Sequence, residues 1–144
     1  MKLTEEQSND NSLSSLSSPA LSPSGLVHLN LLDLSGNLFP NVPRHLPPSL
    51  QQLYLSNNSL SGLEKDCLVG FRGLKYLRLS HCSLQSPSIH PKAFNLSSLV
   101  ELDLSYNKLS LTPTVPTTLQ YLYLEANQIH SRRQHTHTQA HHTK

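Results

Sequence analysis

The chain has 144 residues, 30 of them Leu against five Val and two Ile, with no Trp and a formal net charge of +2. That charge is too small to argue for a nucleic acid partner, and two Cys cannot build a disulfide-dense scaffold. No stretch approaches the roughly 18–20 apolar residues that a membrane span needs. Strands ordinarily draw on Val, Ile and aromatics, so this dominance of Leu indicates one structural position used many times.

In chain order, residues 1–24 come first, with one Lys, three acidic residues and eight Ser between positions 8 and 24. The stretch lacks the apolar core of a signal peptide and its composition predicts disorder. From Gly25 the pattern changes. Five eleven-residue copies follow: LNLLDLSGNLF (Leu29–Phe39), LQQLYLSNNSL (Leu50–Leu60), LKYLRLSHCSL (Leu74–Leu84), LVELDLSYNKL (Leu99–Leu109) and LQYLYLEANQI (Leu119–Ile129). Each fits L-x-x-L-x-L-x-x-N/C-x-L, the leucine-rich-repeat signature. Residues 25–130 therefore form one array with copies starting 21, 24, 25 and 20 residues apart. Residues 131–144 carry three cations and no acid, with four His in the last ten positions. They read as a disordered tail whose His135, His137, His141 and His142 would hold a divalent ion only adventitiously, so neither a metal site nor a cofactor is assigned.

The repeat positions have separable physical roles. In L4-x5-L6 the chain is extended, so both Leu point inward and residue five points out. Stacked copies then make an α/β leucine-rich-repeat solenoid, a horseshoe with a concave parallel sheet of about five strands. The Pro-rich returns PNVPRHLPPS and TPTVPTT cannot be regular helix, so the convex side should be extended and helix-poor. GFRGL and KAFNLSSL are the segments that could carry a short turn of 3-10 or α helix. Leu68, Phe71, Phe94 and Leu96 should fill a second row of core. Position nine holds Asn37, Asn58, Cys82, Asn107 and Asn127, a ladder whose amides can satisfy buried backbone groups. Cys82 should do this less well, as a buried thiol. Cys67 and Cys82 occupy different positions of the repeat, and both are expected to be free.

No catalytic arrangement is present: the copies contain no phosphate-binding Gly-rich loop, no Cys-x-x-Cys and no His-Glu-x-x-His. Asp33, Asp103, His81 and Ser80 sit where any solenoid places polar residues, so the chain is not read as an enzyme. The outward strand positions are more informative. They hold Leu31/Asp33, Gln52/Tyr54, Tyr76/Arg78, Glu101/Asp103 and Tyr121/Tyr123. Tyr and Arg are enriched where proteins bind one another, which makes Tyr54, Tyr76, Arg78, Glu101, Asp103, Tyr121 and Tyr123 the candidate partner-binding face. Two N-glycosylation sequons occur, at Asn57 and Asn95. Asn95, in a return segment, is the better placed; Asn57 adjoins a ladder Asn.

The short–long–long spacing, with YLRLSHCSL, AFNLSSLVELDLSYNKL, PTV and YLEANQI, resembles the class II small leucine-rich proteoglycans. The resemblance covers roughly Gly25 to Ile129. It implies a secreted, non-enzymatic extracellular-matrix protein that binds fibrillar collagen, orders fibril growth and carries N-linked chains. It further implies that the collagen contact falls on acidic strand residues, here Asp103 and Glu101 with Arg78 beside them, and that Asn95 coincides with the family's F-N-x-S-S motif. Members of the family have a signal peptide and Cys caps, which this sequence does not show, so it reads as an internal piece of a longer protein. Two alternatives stay open at this point. One is an intracellular leucine-rich-repeat adaptor using the same face, which the free thiols favour. The other is a truncated product without function, whose open Leu and Phe rows would drive self-association.

Overall fold

The computed structural model describes residues 29–44 and 46–130 in full, and the backbone of 5–7 and 141–143. Seven three-residue strands form one parallel sheet in chain order: β1 (Glu5–Gln7), β2 (Leu31–Asp33), β3 (Gln52–Tyr54), β4 (Tyr76–Arg78), β5 (Glu101–Asp103), β6 (Tyr121–Tyr123) and β7 (His141–Thr143). Strands β2 to β6 are positions three to five of the five copies. The pairings Leu32↔Leu53, Leu53↔Leu77, Leu77↔Leu102 and Leu102↔Leu122 align position four throughout. A slip of one residue would turn these Leu outward, and their burial fixes the register.

The core follows the repeat. The position-four residues Leu32, Leu53, Leu77, Leu102 and Leu122 and their position-six partners are buried, as are Phe39, Val42, Leu68, Phe71 and Phe94 from the returning segments, with Leu96 partly buried against them. Each buried Leu contributes about 1.5–3 kcal/mol, which explains a single aliphatic type filling a fixed-width slot. The convex side is extended chain and turns. Its one described helical turn is 3-10, Ser86–Ser88, with Pro87 in its first turn. GFRGL and KAFNLSSL, which the sequence allowed a short helical turn, form non-helical turns. Proline at a helix start costs no hydrogen bond, which accounts for the turn lying at Pro87.

Position eight turns the chain off every strand by the same device. Gly36, Asn57, His81, Tyr106 and Ala126 all have left-handed backbone, with φ of 72°, 59°, 55°, 57° and 58°. Such a conformation costs a non-Gly residue about 1 kcal/mol or more. The adjacent position-nine side chain offsets that cost. Asn107 Nδ2 donates to Leu79 O and Leu104 O, both at 2.9 Å, and its Oδ1 accepts from Cys82 N at 2.9 Å and Leu84 N at 3.0 Å. Asn58 likewise donates to Leu34 O and Leu55 O and accepts from Phe39 N. Asn127 donates to Leu104 O and Leu124 O and accepts from Leu109 N. The ladder therefore ties each copy to the one before it.

Cys82 keeps only the donating half of this role. Its thiol donates to Leu55 O at 3.2 Å, but sulfur is a poor acceptor. Both Cys82 and Cys67 are free, and burial pushes each thiol up to about 11. The thiolate is the reactive form, so both should react slowly with Ellman's reagent at pH 8 in the native chain and rapidly in urea. Fast labelling of Cys82 without denaturant would contradict its placement.

The two outer strands bear on the chain ends. Strand β1 pairs Glu6 with Leu32, and β7 pairs His142 with Leu122. Glu6 and His142 thus take the position that Leu holds in the five copies. The expected disorder of 1–24 and 131–144 otherwise concerns residues outside the described ones, as does any use of His135 or His137. Leu29, Leu32 and Leu34 in the first copy are 0% exposed, and Leu119 and Leu122 in the last are 0% and 1% exposed. An unpaired sheet edge offers a row of free backbone groups, and at both ends the chain's own extended segments take them. Among the described residues, no helix is long and apolar enough to cross a membrane.

Candidate partner-binding face

The concave groove is built mainly by outward positions five and seven of consecutive copies, with Glu101 from position three and Asn57 from position eight. Together they wall a groove of about 500 Å³ lined by Asp33, Ser35, Tyr54, Ser56, Asn57, Arg78, Ser80, Glu101, Asp103, Ser105, Tyr123 and Glu125. Four carboxylates face one guanidinium, so the groove is acidic although the whole chain is slightly basic.

The single cation is occupied from within. Arg78 Cζ lies 4.3 Å from the centre of the Tyr54 ring, a cation–π contact. The Tyr54 hydroxyl in turn donates to Gln52 Oε1 at 2.6 Å. Arg78 is thus held toward β3, on the opposite side from β5. Asp103 uses Oδ1 to accept from Ser105 N at 3.0 Å, and Asp33 makes the same bond to Ser35 N. This fixes the carboxylate at the strand end and leaves acceptor capacity facing the groove. The Tyr123 hydroxyl is raised above its ordinary phenol value, first by desolvation and then by the carboxylate of Glu101, with Tyr121 and Asp103 adding to it. Like any phenol it is protonated, and a donor, at neutral pH.

A row of serines runs beneath these groups. Ser80 Oγ donates to Ser56 Oγ at 2.8 Å, while Ser105 Oγ is buried without a partner among the described residues. An orphan buried hydroxyl carries a cost, and this one lies at the groove wall beside Asp103. Past the strand ends, His81 and Tyr106 stack with ring centres 4.5 Å apart and planes 9° from parallel. Tyr106 is 49% exposed.

The structure thus gathers Tyr54, Arg78, Glu101, Asp103 and Tyr123 at one groove. Tyr76 and Tyr121, at position three, belong to the same sheet, pairing with Glu101 from either side, but do not line the groove. Asn57 lines it, and Asn95, exposed in a return, does not. Sequence reading missed Asp33, Glu125 and the position-seven serines. Ser at position seven in four of five copies was the available signal. Among the described residues no group of three His, Cys, Asp or Glu is placed to hold a metal ion.

Comparison with known proteins agrees with this architecture. The leucine rich repeat family models match residues 41–84 and, in a second form, 73–96 and 98–117. Human lumican is 50% identical over 105 residues, covering 73% of this chain and 31% of lumican. Bovine fibromodulin is 48% identical over 105 residues, covering 73% of this chain and 28% of fibromodulin. The chain thus spans about a third of the length of these curated relatives. Among solved structures, that of the mouse RP105/MD-1 complex contains a chain matching with TM-score 0.62 and 33% identity, over 80% of this chain and 20% of that one. The repeat signature, the five-copy register and these matches agree: the chain belongs to the leucine-rich-repeat proteins and, within them, is a relative of lumican and fibromodulin of the small leucine-rich proteoglycan type.

Proposed function

We propose that this chain acts in the extracellular matrix as a non-enzymatic protein that binds fibrillar collagen through its concave face and contributes to fibril organisation. The observation that carries the reading is the groove itself, with four carboxylates, one internally engaged guanidinium and Tyr rings along its wall. A collagen triple helix is a stiff rod that shows its X and Y side chains to solvent. Lys or Arg among them would find carboxylates able to make charge-assisted bonds, and Tyr would supply contact area at low entropic cost. The relation to lumican and fibromodulin supports the matrix setting and the lack of catalysis. The exposed sequon Asn95-Leu96-Ser97 is the proposed site of an N-linked chain pointing away from the groove.

Asp103, with Glu101, is proposed as the centre of the contact. Asp103→Asn removes the charge while its side-chain oxygen can still accept from Ser105 N. Co-sedimentation with collagen fibrils should show affinity falling about tenfold at physiological salt, with an unchanged urea midpoint. Equal binding by the variant and the parent chain would reject the assignment.

A further inference from the structure

Two sequons occur in the chain, and the fold gives them opposite placements. Asn95 stands on a return segment remote from the groove. Asn57 stands at position eight, where the backbone has just left β3, and its side chain is both exposed and part of the groove wall beside Tyr54 and Arg78. We propose that Asn57 is an N-glycan acceptor and that its glycan gates access to the concave groove. The gating half rests on the concave face being the binding face; the acceptor half does not.

The local geometry explains how this residue can carry a large substituent. Its left-handed backbone, φ 59°, is one that Asn tolerates better than most residues. The backbone is pinned by Asn57 N donating to Ser80 O at 3.0 Å. Asn58, next in the chain, has the reverse fate: it is buried and its amide is consumed by the ladder. Ser59, the hydroxyl residue of the sequon, is exposed. The two consecutive amides thus divide between the core and the groove, and a substituent on Asn57 displaces no core contact.

The co-reactant is a lipid pyrophosphate-linked oligosaccharide. Asn57 Nδ2 attacks the anomeric carbon of the first sugar. The N–C bond forms, the C–O bond to pyrophosphate breaks, the lipid pyrophosphate leaves with the electron pair and Nδ2 loses a proton. The product is a bulky, hydrated chain rooted at the groove wall. A rod-like partner reaching Asp103 along the sheet must displace or pass it, whereas a glycan on Asn95 obstructs nothing there.

The test uses the full chain expressed behind a secretory leader in mammalian cells. Enzymatic deglycosylation in heavy-oxygen water, followed by peptide mass spectrometry, should find labelled Asp at position 57. Ser59→Ala abolishes that sequon without changing Asn57 or any groove residue. It should bind collagen fibrils severalfold more tightly than the glycosylated parent, and enzymatically deglycosylated parent, in which Asn57 has become a carboxylate, should bind at least as tightly as Ser59→Ala. Ser97→Ala, which removes the Asn95 sequon, should bind as the parent does. An unmodified Asn57 would overturn the proposal, and so would an occupied Asn57 with equal binding by the parent and Ser59→Ala. An occupied site in a chain that binds no collagen in any form would overturn the collagen reading and the gate, and leave the acceptor assignment standing.

Discussion

Asn107→Ala is expected to destabilise the array by about 4 kcal/mol, the largest loss from any single polar side chain in it. The substitution orphans the buried N–H groups of Cys82 and Leu84 and takes a donor from the carbonyls of Leu79 and Leu104. Each buried unsatisfied group costs roughly 1–3 kcal/mol. Asn127→Ala should cost less, about 1–2 kcal/mol, because Asn127 is only part-buried and accepts from a single backbone N–H, that of Leu109. Cys82→Asn should raise stability by up to about 1 kcal/mol by restoring the acceptor that the thiol lacks. Urea unfolding followed by circular dichroism would rank the three. A solenoid's stability is close to a sum of copies and the interfaces between them, so the order should track the number of inter-copy bonds each residue makes. Equal midpoints for Asn107→Ala and Asn127→Ala would contradict the ladder's part in joining copies.

The second large effect concerns binding. Glu101→Lys combined with Asp103→Lys would turn a groove with three excess negative charges into one with a single excess positive charge. Attraction for a basic rod then becomes repulsion, and binding to collagen fibrils should fall by about a hundredfold or more at low salt. Part of the loss should disappear as ionic strength rises, since exposed charges are screened over about 8–10 Å near physiological salt. Glu64→Lys is the control. Glu64 lies on a returning segment, exposed, paired with Arg44 at 3.1 Å. Reversing it changes net charge without touching the groove and should leave binding within twofold. Equal losses from Glu64→Lys and the groove pair would mean that net charge, not the concave face, governs the interaction.

Much of this was legible in the sequence because the repeat is a periodic physical constraint. Leu at positions four and six must be inward together, so strands β2 to β6 and their register followed from counting. The ladder followed too, since an amide beside a turn is the group able to bond both ways. Strands β1 and β7 were not legible. Glu6 and His142 occupy the position where complete copies have Leu, so no apolar period marks them. Position eight holds Gly, Asn, His, Tyr and Ala, which share no property, yet all five adopt the same left-handed backbone because the strand on one side and the ladder on the other impose it.

The face was legible as a list of outward residues but not as a site. Which way Arg78 leans depends on a choice of rotamer between Tyr54 on one strand and Asp103 on the next. The structure resolves it toward the ring and leaves the carboxylates open. Likewise the stacking of His81 on Tyr106 follows from two position-eight side chains in neighbouring copies, a relation visible only once the copies are stacked.

Carboxyl footprinting of the chain on collagen fibrils tests the central claim most directly. Glu101, Asp103, Asp33 and Glu125 should each be protected from carbodiimide-driven labelling when collagen is bound, while Glu64 and Asp66 on the returning side label as in the free chain. Protection of Glu64 and Asp66 with full labelling of Asp103 would contradict binding through the concave face.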